Sequence, residues 1–228
     1  MSTISDVTTG PQLKCWTATE IKVLAEIGVL DAEAVEFFNG LIYLSGDGVR
    51  KRWTHEEYHG AGEAGLFDGE RVELIDGEVY IMSPMSERHA SGILRVQYAL
   101  LGLAPQGYLV RTQLPILGDA SEPEPDIGLV IGAVDDLDQA IPSTLELVIE
   151  VSLSSLKFDQ TEKLKVYAQQ NIPEYWILNL VDDCLEVYRD PVGDSYRDMA
   201  IVKAGESIAC LAIPNAEVAV SDLLPKRA

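Results

Sequence analysis

The chain has 228 residues, of which 47% are hydrophobic, so it can bury a sizeable core. Its formal net charge is −20, and residues 53–228 carry −18 of that charge, which opposes long-range attraction to nucleic acid. No apolar run approaches the ~18 residues of a membrane span, and the first residues lack the pattern of a signal peptide. We therefore expect a cytoplasmic protein that does not enter a membrane. Three cysteines without paired spacing exclude a disulfide framework and a zinc ribbon.

The N-terminal part of the sequence contains an internal repeat. Residues 16–45 and 53–82 align with an offset of 37 residues, and eleven of the first 28 aligned pairs are identical. Each copy opens with Thr-x-x-Glu, a pattern in which the hydroxyl and the carboxylate satisfy backbone N–H groups at a helix start. Each copy then carries Asn-Gly or Asp-Gly, which favours a two-residue type I′ hairpin. The sequence therefore predicts two copies of a helix followed by a hairpin.

A single helix–hairpin of this size buries too little surface to fold alone. We therefore expect the first copy to pack against the second copy or against a partner subunit. The segment between the copies, residues 46–52, is rich in glycine and basic residues and is expected to be exposed.

After the repeat, the apolar pattern predicts helices and strands in alternation. Ser86 is placed to cap a helix over 87–103, and a second helix is predicted over 159–170, before Pro173. Strands are predicted over residues 107–114, 126–132, 145–151, 174–180, 184–190, 195–203 and 207–213. Because a strand, a helix and a further strand make a crossover unit, part of the sheet should be parallel. The predicted fold class is α/β in the mixed, α+β sense, with a mixed central sheet flanked by helices.

Two carboxylates and a lysine in this region favour metal-dependent chemistry. Asp126 directly precedes one apolar strand, Glu150 lies within the next, and Lys163 follows on a helix. An unpaired carboxylate in an apolar strand is costly unless a cation or hydrogen bonds offset its desolvation. Such a pair therefore suggests a divalent-metal site for phosphodiester chemistry. In the alternative interpretation, both acids lie solvated at strand ends and Lys163 is a solvated helix lysine.

The segments that carry these residues resemble a known family. Between residues 53 and 190 the chain contains, in order, ERVELIDGEVYIMSPMSERH, SEPEPDIGLV, LVIEVSLSS and DQTEKLKVYAQQNIPEYWIL. Together they resemble the Uma family of putative restriction endonucleases, within the PD-(D/E)XK nuclease superfamily. The resemblance implies a restriction-endonuclease-like fold. We accordingly predict an N-terminal helix–hairpin copy with its linker over residues 1–52 and a nuclease-like domain over residues 53–228.

The resemblance also implies roles for individual residues. Asp126 corresponds to the aspartate of the Pro-Asp motif, and Glu150 corresponds to the acid of the Glu-x-Lys element. The third position of that element is Ser152 instead of lysine, and Lys163 matches the position to which the family's lysine has moved. Glu73 and His89 also fall at family positions and are expected to support the site.

Other interpretations of the supporting residues are open. Glu73 has an acidic repeat partner with no visible site around it, which fits a simple exposed strand acid. His89 fits either a phosphate contact or a hydrogen bond to a nearby carbonyl. Asp159 fits a helix cap, which we prefer to an active-site contact. His55 and His59 have helical spacing but no evident third ligand for a metal.

With the resemblance, these residues predict Mg²⁺ or Mn²⁺ bound by the carboxylates of Asp126 and Glu150 and the backbone carbonyl of Val151. The metal would polarise the scissile phosphate and activate a bound water, and Lys163 would orient that water or stabilise developing charge. The implied function is hydrolysis of phosphodiester bonds in DNA by a homodimer. The alternative is a catalytically weak or inactive nuclease-fold protein that acts as a binding or regulatory module, which the acidic surface and the extra N-terminal copy favour.

Overall fold

The computed structural model describes residues 10–138 and 140–226, which form two compact units. The helix–hairpin unit comprises Pro11–Ser83 and Asp119–Glu122, and the core unit comprises the rest of the described chain. Both repeat copies belong to the helix–hairpin unit. The domain boundary expected between residues 52 and 53 stays a prediction.

The elements of the helix–hairpin unit follow the repeat. In chain order they are β1 (Gln12–Leu13), α1 (Ala18–Glu26), β2 (Val35–Phe38), β3 (Leu41–Leu44), α2 (His55–Glu63), β4 (Val72–Ile75) and β5 (Glu78–Ile81). Both capping boxes form. The Glu20 carboxylate accepts the Thr17 N–H over 2.7 Å, and the Glu57 carboxylate accepts the Thr54 N–H over 2.9 Å. The predicted helix starts are confirmed.

The two hairpins have the predicted turns. Asn39 and Gly40 have φ angles of 49° and 79°, and Asp76 and Gly77 have φ angles of 49° and 69°. Positive φ at both central residues is what a type I′ turn requires. β2 pairs antiparallel with β3, and β4 pairs antiparallel with β5.

Each copy also contributes a lead-in strand to the hairpin of the other copy. β1, which precedes the first copy, pairs antiparallel with β5 of the second, with Leu13 opposite Tyr80. Arg50, which precedes the second copy, pairs in the same way with Tyr43 on β3. This pairing corrects the expectation that residues 46–52 are simply exposed, because the second half of that segment joins a sheet.

The two copies meet at a stack of equivalent tryptophans. The ring centroids of Trp16 and Trp53 are 4.6 Å apart, with an interplanar angle of 20°. The buried residues that share this cluster are Leu24, Leu30, Ile42, Ala61, Leu74 and Val79. The first copy therefore packs against the second, which is one of the two arrangements expected from the sequence.

The core unit contains the remaining elements. In chain order they are α3 (Glu87–Leu103), β6 (Tyr108–Thr112), β7 (Ile127–Ile131), β8 (Leu147–Ser152), α4 (Leu156–Phe158), α5 (Leu164–Gln169), β9 (Glu174–Asn179), β10 (Cys184–Val192), β11 (Ser195–Lys203), β12 (Ser207–Ala209), β13 (Glu217–Ala219) and α6 (Val220–Leu223). A π-helical turn, Asp159–Lys163, joins α4 to α5. The helix predicted over 159–170 thus begins earlier and is interrupted, and the last predicted strand ends at Ala209.

A six-stranded sheet in the order β11-β10-β9-β8-β7-β6 forms the centre of the core unit. β8 and β9 are parallel, and their crossover contains α4, the π-helical turn and α5; the other neighbours are antiparallel. Every residue of β8 and β9 is buried, as expected of strands covered on both faces. The predicted mixed sheet is confirmed.

Helices cover both faces of this sheet. Ile93, Val96 and Leu100 of α3 share one apolar cluster with the strands, and Tyr167 and Ala168 of α5 belong to a second cluster. The fold class predicted from the sequence, a mixed sheet flanked by helices, is therefore confirmed. Within the described residues, no helix has the length and apolar character needed to cross a membrane.

Candidate active site

The sheet register places the two predicted carboxylates beside each other. Ile127 on β7 lies opposite Ile149 on β8, so Asp126 and Glu150 are cross-strand neighbours. β7 begins only after Pro125, since proline cannot donate to the ladder. Both acids are only 3% exposed. The alternative interpretation, in which both acids are solvated at strand ends, is therefore wrong.

Main-chain donors hold both carboxylates in place. The N–H of Val151 donates to Asp126 Oδ2 over 2.9 Å, and the N–H of Asp126 donates to Glu150 Oε2 over 3.3 Å. Hydrogen bonds of this kind offset the cost of burying a charged carboxylate. Because the donors belong to the backbone of neighbouring strands, the acid pair is fixed by the sheet itself.

Lys163 lies against this acid pair. Its Nζ is 2.8 Å from Glu150 Oε1, and its side chain is 2% exposed. Tyr167, one helical turn later, donates its hydroxyl to the same oxygen over 2.6 Å. A buried ammonium beside a buried carboxylate offsets part of the desolvation cost of both. The structure thus brings Lys163 together with Glu150 and Asp126, and the interpretation of Lys163 as a solvated lysine is wrong.

The π-helical turn brings another acid to the cluster. Turns of this type are rare and occur frequently at functional sites. Asp159, at the start of the turn, is buried, and its Oδ2 accepts hydrogen bonds from the hydroxyls of Ser152 and Ser155, each over 2.6 Å. The preferred interpretation of Asp159 as a helix cap is therefore wrong, because its carboxylate binds side-chain hydroxyls and not the N–H groups of a helix start.

The acids of the cluster differ in their tendency to ionise. Burial raises the pKa of Asp159 to about 6, although the charge of Lys163 and the two serine hydroxyls oppose the rise. Burial also acts to raise the pKa of Asp126, but the hydrogen bond and charge of His89, with the Val151 N–H, outweigh it and lower that pKa below its usual value. Asp126 is therefore ionised at neutral pH, whereas Asp159 titrates close to neutrality.

His89 contacts the aspartate directly. Its Nε2 is 2.9 Å from Asp126 Oδ2, the same oxygen that accepts the Val151 N–H. His89 lies in the first turn of α3, where the Ser86 hydroxyl accepts its N–H over 3.2 Å and caps the helix. The carbonyl contact considered from the sequence is therefore replaced by a carboxylate contact.

Glu73 lies on β4, in the helix–hairpin unit. It is fully buried, and its Oε1 is 3.6 Å from Arg71 Nη2. The interpretation of Glu73 as an exposed strand acid is therefore wrong. Its supporting role stays a prediction.

The oxygen atoms of this cluster fit a hard divalent cation. Because the N–H and C=O of a strand residue point to the same side, the Val151 carbonyl lies on the side of β8 that faces Asp126. Within residues 10–138 and 140–226, no three or more His, Cys, Asp and Glu side chains are arranged to hold a metal ion. Mg²⁺ needs only one or two carboxylates together with water and substrate oxygens. A metal here would therefore depend on Asp126, Glu150 and the backbone.

Two contacts of the cluster were not predicted. Tyr167 had a usable signal, since it follows Lys163 by four residues and so shares its helix face. Ser155 had none, because its bond to Asp159 depends on the π-helical turn.

A separate polar cluster lies in the helix–hairpin unit. Oε2 of the buried Glu122 is 3.1 Å from Nδ1 of His55 and 2.9 Å from Nε2 of His59. Glu122 is far from both histidines in sequence, so the helical spacing of the pair gave no sign of this partner. No metal role follows from this cluster.

The mixed sheet with its flanking helices is a nuclease-like fold. The crystal structure of a putative nuclease belonging to DUF820 from Anabaena variabilis ATCC 29413 is similar to this chain, with a TM-score of 0.56 and 15% sequence identity. The similarity covers 71% of this chain and 95% of that chain. At this level of identity the likeness establishes the fold alone.

A family model described as Uma2, putative restriction endonuclease, matches residues 56–221. The chain belongs to this family, and the resemblance seen in the sequence is confirmed. The match begins within the second helix–hairpin copy, so the first copy lies outside it. A search among curated proteins finds no match.

Proposed function

We propose that this chain is a divalent-metal-dependent endonuclease that hydrolyses phosphodiester bonds in DNA. The observation that carries the proposal is the meeting of Asp126, Glu150 and Lys163 in one buried cluster, with Lys163 Nζ 2.8 Å from Glu150 Oε1. A purely structural ion pair would not need a second buried carboxylate that also contacts His89. Membership of the Uma2 family supports the nuclease class.

Each residue of the cluster has its own role in the proposed hydrolysis. Asp126, Glu150 and the Val151 carbonyl would hold Mg²⁺ or Mn²⁺, which would supply Lewis-acid activation of the phosphate and of the attacking water. Lys163 places its positive charge where negative charge develops during attack. His89 keeps the Asp126 carboxylate oriented through the contact at Oδ2.

We extend the proposal to a cytoplasmic homodimer. A dimer carries two clusters, one for each strand of a DNA duplex, which suits the restriction-endonuclease description of the family. In the same proposal, Glu73 has a supporting role in hydrolysis.

A cleavage assay tests the proposal. Supercoiled plasmid DNA incubated with the native protein and Mg²⁺ or Mn²⁺ is expected to become nicked or linear. Lys163→Met should reduce the rate by about 100-fold or more, the effect of removing one preorganised charge-stabilising group. Lys157→Met is the matched control, because it removes the same charge from an exposed position of α4.

Two results would refute the proposal: no cleavage by the native protein with either metal, or equal losses in Lys163→Met and Lys157→Met. A single-stranded RNA of matched length, assayed in parallel, decides between DNA and RNA as substrate.

Metal binding can be measured without a substrate. A ligand that binds only the folded state at 100 times its dissociation constant stabilises it by about 2.7 kcal/mol. Mg²⁺ or Mn²⁺ should therefore raise the melting temperature of the native protein but not that of the double variant Asp126→Ala, Glu150→Ala. An unchanged melting temperature in the native protein would contradict the metal dependence.

The net charge of −20 favours a second candidate function. A surface this acidic repels DNA, which suits a nuclease-fold protein that has become a binding or regulatory module. Metal-induced stabilisation without any cleavage would support this candidate.

A further inference from the structure

The two hairpins of the helix–hairpin unit differ at one edge. On the outer edge of β4, the segment Asp119–Glu122 adds a short extended stretch. The N–H of Glu122 donates to the Leu74 carbonyl over 2.7 Å, and the N–H of Gly77 donates to the Ala120 carbonyl over 2.6 Å. The second copy thus has an edge that is closed by strand addition.

Side chains secure the added segment. The hydroxyl of Ser121 accepts the Asp76 N–H over 2.8 Å. The carboxylate of Glu122 reaches His55 and His59 on α2. The segment is therefore recognised by backbone pairing, one hydroxyl and one carboxylate.

The same backbone groups are open in the first copy. By the 37-residue offset, the Phe37 carbonyl corresponds to that of Leu74, and the N–H groups of Asn39 and Gly40 correspond to those of Asp76 and Gly77. Within residues 10–138 and 140–226, no residue outside the β2–β3 hairpin forms a hydrogen bond with these three groups. The outer edge of β2 is therefore the unfilled equivalent of the β4 edge.

The side chains along the two edges differ in exposure. Leu74 and Ile75 on β4 are 0% and 1% exposed, whereas their counterparts Phe37 and Phe38 on β2 are 41% and 65% exposed. Natural edge strands are usually protected by charges, proline or a covering segment. Phe37 and Phe38 instead leave one exposed aromatic side chain on each face of the hairpin, beside an unpaired strand edge.

One basic residue of the first copy is placed to meet a carboxylate of the occupant. Lys22 stands where His59 stands in the second copy, and it is the sole basic residue of residues 16–45. Its ammonium is 3.7 Å from Glu26 in an exposed pair of the kind that contributes little. A carboxylate bound at the place of Glu122 would therefore meet the Lys22 ammonium.

We propose that the outer edge of β2 binds an extended segment of a partner protein by strand addition. The segment pairs with the Phe37 carbonyl and the Gly40 N–H, as Asp119–Glu122 pairs with β4. It carries a small hydroxyl residue opposite the Asn39 N–H, followed by a carboxylate that meets Lys22. Main-chain pairing gives such recognition its affinity, and the side-chain positions give it specificity.

The proposal can be tested with a peptide that is copied from the chain's own sequence. A fluorescently labelled peptide with the sequence GDASEPEP, copied from residues 118–125, is titrated with the full chain and followed by fluorescence anisotropy. Saturable binding is expected. Lys22→Glu should weaken it by at least about five-fold, the effect of losing one charged contact. Lys157→Glu, the same change at an exposed lysine of α4, should leave it unchanged.

Two altered peptides test the mode of binding. A peptide N-methylated at its first glutamate cannot donate to the Phe37 carbonyl and should not bind, and a peptide with lysine at that glutamate should bind more weakly. In ¹⁵N spectra, peptide-induced shifts at the Asn39 and Gly40 amides support the proposal. Shifts centred on Gly77 instead would mean that the peptide has displaced the chain's own segment, which overturns it.

Two further results overturn the proposal. One is the absence of binding at millimolar peptide. The other is self-association of the chain that Phe38→Glu abolishes while the peptide fails to bind, because the occupant of the edge is then a second copy of the chain.

Discussion

The hydroxyl of Ser152 donates a 2.6 Å hydrogen bond to the carboxylate of Asp159. In the correspondence predicted from the sequence, Ser152 takes the third position of the Glu-x-Lys element, where the motif has lysine. The ammonium comes instead from Lys163, at the end of the π-helical turn that Asp159 begins. The π-helical turn therefore supplies both the Asp159 carboxylate, which binds the Ser152 hydroxyl, and the Lys163 ammonium, which contacts Glu150 on β8.

Asp159→Asn is expected to stabilise the chain increasingly as the pH rises from about 4 to about 7. The pKa of Asp159 is raised from 3.8 to about 6 in the folded state. Between these values the folded chain binds more protons than the unfolded chain, so the aspartate costs stability as the pH rises through this window. The cost at neutral pH is on the order of 2–3 kcal/mol, and asparagine keeps an acceptor for the serine hydroxyls. Urea unfolding across this pH range measures the effect.

Asp135→Asn serves as the control for that series, because Asp135 is exposed. Its effect on the free energy of unfolding should stay small throughout. If the free energies of unfolding of Asp159→Asn and the native chain differ by the same amount at every pH, the raised pKa of Asp159 is contradicted.

Lys163→Met is expected to destabilise the chain by about 3–5 kcal/mol, since it leaves the buried Glu150 carboxylate without the ammonium. When Glu150→Gln is added to Lys163→Met, part of the lost stability should return, because the buried carboxylate is then neutral. In a double-mutant cycle, the two substitutions should therefore show a coupling energy of about 1–3 kcal/mol in urea unfolding. Strictly additive losses would mean that the 2.8 Å contact carries no energy.

Thr17→Ala and Thr54→Ala should each lower the free energy of unfolding by about 1 kcal/mol, because each removes the hydroxyl of a capping box. Thr19→Ala is the matched control on α1. Thr19 is exposed within the helix, where alanine has the higher propensity, so this change should be neutral or stabilising. Thermal and urea unfolding distinguish the three variants, and equal losses in all of them would argue against the caps.

The tryptophan stack predicts a coupling between the two repeat copies. Trp16→Leu and Trp53→Leu each keep an apolar side chain but remove the ring contact at 4.6 Å. The double variant should lose less stability than the sum of the single variants, by about 1 kcal/mol, the typical value of a stacked aromatic pair. Losses that add exactly would indicate that each ring packs independently of the other.

Features specified by neighbouring residues were predictable from the sequence. The helix starts after Thr17 and Thr54, and the turns at Asn39-Gly40 and Asp76-Gly77, depend on local hydrogen bonds and dihedral preferences, and the structure has all four. The approach of Asp126 and Glu150 followed from two apolar strands that each carried an acid.

Features that depend on distant contacts were not predictable in the same way. The π-helical turn is associated with the bonds of Asp159 to two serines, and a regular helix was the natural expectation for that segment. The Glu122 contact with His59 joins residues 63 positions apart. Without knowledge of the tertiary arrangement, local preference also made Asp159 a plausible helix cap.

The exchange of lead-in strands has a consequence for how this chain can change over evolutionary time. β1 completes the sheet of the second hairpin, and the stretch around Arg50 completes that of the first. Deletion of the first copy together with β1 would expose the edge of β5 and one face of the Trp53 ring. Loss of either copy alone is therefore expected to destabilise the copy that remains, so the two copies are expected to be kept or lost together.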